Sequence, residues 1–189
     1  MHSPPHSAYR QENGYTLIDL SLREPRQLFH TLDPAPFRER DLDAQAEAYL
    51  LGAVREIGAR HAAKLVIHLP EALLAGDEAR SLPPAIGHYF DYRAAESLQT
   101  LRNLLANGAV SLVIGLVFLL GCLSARRLLP VSSGDDLALI LDEGLLIIGW
   151  VALWRPLEVF LYDWWPVWQR RREQLRVARL PVELRAIWG

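Results

Sequence analysis

Residues 104–123, LLANGAVSLVIGLVFLLGCL, carry no ionisable side chain except the Cys122 thiol. Twenty residues of α-helix rise about 30 Å, the thickness of a bilayer hydrocarbon core. Such a run excludes an ordinary soluble fold and reads as a first transmembrane helix. It begins more than a hundred residues into the chain, and the start MHSPPHSAYRQENG has no apolar segment. It is therefore not read as a signal peptide, and the half before it is expected to stay in the cytoplasm. A second apolar segment, 137–155, is interrupted by Asp142 and Glu143 and reads as a second span. Between them, 124–136 holds Pro130, Ser132, Ser133 and Gly134, the chemistry of a periplasmic loop closing a helical hairpin.

An even number of spans puts the end of the chain on the same side as its beginning. Arg155, Arg170, Arg171, Arg172, Arg176 and Arg179 agree, since basic flanks mark the cytoplasmic side. Arg126 and Arg127 oppose this from the loop and are partly offset by Asp135 and Asp136. In the segment 156–189, Tyr162, Trp164, Trp165 and Trp168 form an expected aromatic belt at the interface. Residues 169–179 then read as a basic helix near anionic headgroups. The lipid bilayer is the expected partner of this arginine run, and no nucleic acid is. The layout predicts a bacterial inner-membrane protein with both termini cytoplasmic.

The half before the membrane divides into a disordered tail (1–13), a cytoplasmic α/β domain (14–80) and an amphipathic stalk helix (81–103). In 15–22, YTLIDLSL alternates as a half-buried strand, and 63–69, AKLVIHL, is a second strand. Between them Asp43 caps a helix with Ala46, Leu50, Val54 and Ile57 on one stripe, and Gly58 marks its stop. A short helix is expected from Pro25, before a turn at Asp33-Pro34-Ala35-Pro36. The fold class predicted is an α+β membrane protein: a small βαβ-containing domain, a two-helix transmembrane hairpin and a basic C-terminal helix. No third strand is evident before the membrane, and two strands make no stable sheet. The sheet is thus expected to be completed from outside, by a second copy or by another membrane protein. Pro83-Pro84 is expected to open the stalk helix, with Ile86, Phe90, Ala94, Leu98 and Leu101 on one face.

The residues that most invite a role are charges inside apolar sequence. Placing the hydrocarbon edge at Leu137 puts Asp142 and Glu143 about 8 to 9 Å inside it, at a cost of roughly 2.5 to 3.5 kcal/mol each at mid-bilayer. Bonding to the neighbouring helix or to another copy is the first reading of this pair, and an ion or proton route the second. Arg155 and Glu158, one turn apart, read as a boundary ion pair. Ser111 with Gly115, and Gly121 with Ala125, place small residues one turn apart for close helix approach. No catalytic residue, metal site or cofactor is predicted: the single Cys excludes multi-thiolate sites, the six His have no ligand-pair spacing, and P-loop, GxGxxG, GxSxG and CxxC are absent. A membrane-tethered enzyme would need a polar pocket near His68, Asp19 and Arg23.

Residues 32–43 (LDPAPFRERDLD) and 143–166 (EGLLIIGWVALWRPLEVFLYDWWP) resemble an uncharacterised family of small two-span bacterial inner-membrane proteins. The resemblance implies a bacterial origin and the two-span layout, and carries no activity. Within 143–166, Trp154-Arg155-Pro156-Leu157-Glu158 joins a cation, a helix disruptor and an anion, which marks a joint or docking point. The expectation is a non-enzymatic oligomeric scaffold, regulatory or accessory subunit. The alternative is a homo-oligomeric ion or proton pathway using Asp142 or Glu143.

Overall fold

The computed structural model describes residues 9–30, 41–128 and 136–187. The expected turn at 33–36, residues 1–8 of the tail and 129–135 of the loop lie outside them. The protein is α+β, with one small sheet and two helices long and apolar enough to cross a membrane. It divides into a sheet unit (1–96 and 170–189) and a hairpin unit (97–169).

In the sheet unit, β1 (Gln11–Glu12) turns through Asn13-Gly14 into β2 (Tyr15–Ser21), and both turn residues have positive φ, as a two-residue hairpin requires. A 3-10 turn (Pro25–Leu28) stands where a short helix is expected. Next comes α1 (Ala44–Ile57), capped by the Asp43 carboxylate on the Gln45 amide at 2.9 Å and ended by Gly58 at φ 72°. Both caps are the residues read from the sequence. Then follow β3 (Ala63–Leu69), α2 (Glu71–Leu74) and α3 (Asp77–Leu128). Beyond residue 135 come α4 (Asp136–Glu158), a π turn (Val159–Asp163), α5 (Trp164–Ala178) and β4 (Val182–Ala186).

The sheet runs β1-β2-β3-β4, antiparallel at the first pair and parallel at the other two. One face buries Ile18, Leu65, Ile67 and Leu69, which join Leu50, Val54 and Ile57 of α1 and Leu82, Ile86 and Phe90 of α3 in one core. The opposite face buries Leu17 and Val66 beneath ion pairs. Asp19 meets Arg10 at 3.1 Å and His68 at 2.8 Å; Glu183 meets Lys64 at 2.8 Å; Arg185 reaches Glu12 at 2.8 Å.

Four expectations are corrected. The sheet is completed from within the chain, because β4 pairs residues 182–186 with 65–69 of β3, so a partner is not needed to supply the third parallel strand. Gln11 and Glu12 of the expected disordered tail are paired in β1. The expected stalk starts one turn early, at Asp77, where Asp77 and Glu78 suit the positive end of a helix. Its residues Leu82, Ala85, Ile86, Tyr89 and Phe90 are core. The basic helix is likewise packed: Glu173, Gln174 and Val177 are buried, and Arg176 donates to the carbonyls of Val54 at 3.0 Å and His61 at 2.6 Å.

Candidate functional site

The hairpin unit is assembled through glycines. A Cβ on Gly108 would lie 2.8 Å from Val159 Cγ1, on Gly115 2.9 Å from the Ala152 carbonyl oxygen, and on Gly149 2.7 Å from Leu119 Cδ1. At Gly115 the obstacle is backbone, so α3 and α4 approach closely there, whereas at Gly108 and Gly149 it is a side chain. Gly115 of the expected small-residue set lies in this seam. Gly121 does not, since nothing stands within 4 Å of its Cβ position; Ser111 and Ala125 are half-buried. Gly108 and Gly149 complete the seam and were not singled out by the sequence reading. Gly108, Gly115 and Cys122 recur at seven-residue spacing and are all buried, which is the signal that finds it.

These contacts fix the register. Gly115 stands level with Ala152 and Leu153, Gly108 with Val159, and Gly149 with Leu119 and Cys122. At the loop end the Arg126 guanidinium grips Asp142 with two bonds, Nε to Oδ1 and Nη2 to Oδ2, the latter 2.7 Å. The apolar run 104–123 therefore faces about 145–164, rather than 137–155. Asp142 and Glu143 stand level with the loop end of that run, and Arg155 stands near Val113, halfway along it. Read from the sequence, Asp142 and Glu143 lie inside the second span and Arg155 at its edge; measured against α3, Asp142 stands near the end of the apolar run and Arg155 near its middle. Hydropathy of a single segment carries no information on this register, which is set by glycine contacts far apart in the chain.

The mid-level site is a cation with two acids. Arg155 Nη1 lies 3.0 Å from Glu158 and 3.3 Å from Asp163. Arg155 is 66% exposed, and its Nη2 and Nε carry no bond to the described residues. Pro156 and Pro166, each without an N–H, bracket the π turn that brings Asp163 back toward Arg155. Around the site Trp150, Val151, Trp154, Leu157 and Leu161 are exposed, while Gly149, Leu153, Pro156 and Val159 face α3. Glu143 is exposed. Farther along, Trp164 meets Trp165 edge-on at 5.6 Å and Trp168 at 6.2 Å, with Tyr162 exposed beside them.

The sheet unit has an open cleft of about 360 Å³ lined by Ala44, Glu47, Ala48, Leu51, Gly52, Arg55 and Arg170. Tyr89 donates to Glu47 Oε2 at 2.9 Å, while Oε1 lies 3.5 Å from Arg93 and 3.7 Å from Arg170 without a hydrogen bond. Burial, then the Glu47 bond, pushes the Tyr89 hydroxyl well above its ordinary range. Burial works against the Arg93 charge, but Glu47, Tyr89 and Glu96 hold it above the usual arginine value. Arg55 forks onto Glu173 at 3.0 and 2.7 Å, joining α1 to α5. Of the residues named for a tethered enzyme, His68 and Asp19 meet, with Arg10 rather than Arg23 as their cation. Among the described residues no three His, Cys, Asp or Glu side chains are grouped to hold a metal ion. Comparison with protein-family models, curated proteins and solved structures finds no match.

Proposed function

We propose that this is a two-span protein of the bacterial inner membrane, with both termini cytoplasmic, acting without catalysis as an oligomeric scaffold, regulatory or accessory subunit. The observation that carries the reading is the hairpin surface. The most apolar windows of the two long helices are only 17% and 22% buried. A core helix of a soluble protein hides its apolar residues, and this much uncovered apolar surface calls for lipid. Topology supports two crossings: β3 precedes the hairpin, β4 follows it, and the two strands pair, so both ends of the hairpin return to one sheet. The seven arginines at 93, 102, 170–172, 176 and 179 outnumber the two at 126 and 127, which supports a cytoplasmic sheet unit.

Taking 104–123 as the first hydrocarbon crossing, the register makes the second 145–164. Asp142 then belongs to the loop-side boundary, already engaged by Arg126. That supports a hairpin-closing role for it over an ion path. Arg155 comes level with the bilayer centre, where a charge is tolerated only against protein or water. An ion-paired arginine left 66% exposed at that level supports the oligomeric reading.

Alkaline extraction of membranes holding the full chain tests insertion. The account expects the protein to stay with the lipid pellet, and a Ser133→Cys variant to react with an impermeant maleimide only from the periplasmic side. Release into the supernatant, or labelling only from the cytoplasm, contradicts it.

A further inference from the structure

We propose that two copies of this chain associate within the bilayer through the α4 face bearing Trp154, Arg155 and Glu158, exchanging Arg155–Glu158 pairs across the contact. The inference rests on the two-span reading above. Its premise is geometric. Val113 and Ile114 are the residues farthest from either end of 104–123, and the glycine seam sets Arg155 at the level of Val113. The Arg155 side chain starts at that level, reaches toward Glu158 and Asp163, and is two-thirds exposed, its Nη2 and Nε carrying no hydrogen bond to the described residues. Lipid tails offer no acceptor for those donors, so another protein surface or water has to.

Charge complementarity selects a second copy. The face carries one cation and one anion a turn apart, so it is complementary to itself under a two-fold axis along the membrane normal. In such a pair Arg155 of one copy and Glu158 of the other differ in depth by about 4.5 Å, within reach of an arginine side chain. Each guanidinium can keep its own Glu158 on Nη1 and give Nη2 to the partner's. Asp163 lies next to Trp164 and Trp165, toward the membrane boundary, and tethers Arg155 from that side. The apolar residues flanking the charges, Trp150, Val151, Trp154, Leu157 and Leu161, are exposed and supply the contact area. The opposite face of α4 is consumed by α3, which leaves this one, among the described residues of α4, to pair.

The test uses the full chain in lipid vesicles, with donor-labelled and acceptor-labelled populations mixed and energy transfer followed against the protein-to-lipid ratio. Wild type should associate; Arg155→Glu and Glu158→Arg alone, each in an Asp163→Asn background that removes the acid beside position 155, should weaken association at least about tenfold; the double exchange in that background should restore it, because it rebuilds the pair with reversed signs. In a Cys122→Ser background, Trp154→Cys should cross-link between copies and Val117→Cys, on the exposed face of α3, should not. A wild type that stays monomeric at every ratio, single variants that associate as wild type, a double exchange without rescue, or equal cross-linking at 117 and 154 would overturn the proposal. Vesicle flotation separates the two readings: protein that fails to float with lipid refutes the two-span reading itself, whereas protein that floats as a monomer refutes only the pairing.

Discussion

Replacing Gly115 by Ala tests the hairpin register at its tightest point. The new Cβ would stand 2.9 Å from the Ala152 carbonyl oxygen and 3.0 Å from Leu153 Cδ2. An ordinary carbon–oxygen contact is about 3.4 Å, so the helices have to separate by about half an ångström. The obstructing atom is backbone, and no rotamer change can move it. Overpacking of this kind costs about 1–3 kcal/mol. Gly121→Ala meets nothing within 4 Å, so it leaves the seam intact and gains up to about 1 kcal/mol from helix propensity. Gly149→Ala should fall between them, since its nearest obstacle, Leu119 Cδ1 at 2.7 Å, is the movable tip of a side chain. The predicted order of destabilisation is Gly115, then Gly149, then Gly121. The gap between the first and last is about 2 kcal/mol or more, roughly thirtyfold in the opening equilibrium. Reversible SDS titration in bicelles, followed through the tryptophans of α4, measures it. If Gly121→Ala costs as much as Gly115→Ala, the seam is misassigned and the register falls with it.

Three further outcomes follow from the same geometry. Glu183 is held down to about 2 from an ordinary 4.5 by hydrogen bonds from Arg185 and then Lys64. A carboxylate with a depressed value stabilises the fold above about pH 4.5 and loses that contribution as pH falls toward 2. With 37% of the side chain exposed, about 1 kcal/mol survives solvent screening. Glu183→Gln should therefore lower stability by about that much at pH 7 and by nothing near pH 2, read from hydrogen exchange in β3 and β4; an equal deficit at both would refute the assignment. Truncation after Arg179 removes β4 and should abolish exchange protection along the β3 amides bonded to it, whereas unchanged protection would mean that β4 does not complete the sheet. Asp142→Asn loses the fork from Arg126 and should loosen the loop end while leaving proton flux across proteoliposomes as in wild type. Abolished flux with assembly intact would favour the ion-pathway reading instead.

Local signals carried their own elements. Asp43, the Ala46, Leu50, Val54, Ile57 stripe and Gly58 delimit α1, because capping and amphipathicity act within a few residues. The alternation of 15–22 and 63–69 likewise gives β2 and β3. Asn13-Gly14 is a strong hairpin signal that the expectation of a disordered tail over 1–13 left out. β4 was harder to see: VELRA is five residues, follows an arginine-rich helix and meets β3 from more than a hundred residues away. The level of α4 against α3 was hidden for a related reason. Hydropathy scores each window alone, and it favours 137–155 because LALIL is apolar and Arg155 is charged. The depth of α4 is decided by its partner, through Gly108, Gly115 and Gly149. No property of α4 alone reveals that Arg155 stands opposite Val113.

The claim on which the rest depends is the depth of α4, and tryptophan quenching measures it directly. Single-tryptophan variants retaining Trp150, Trp154 or Trp165, with the other five replaced by Phe, are reconstituted in vesicles of lipids brominated at graded positions along the acyl chain. With the second crossing at 145–164, Trp154 lies at the bilayer centre, Trp150 about 7 Å off it and Trp165 at the boundary. The account predicts that Trp154 is quenched most by the deepest bromines. If Trp150 proves deeper than Trp154, the crossing is 137–155, Arg155 belongs to the boundary, and the register derived from the glycine seam is wrong.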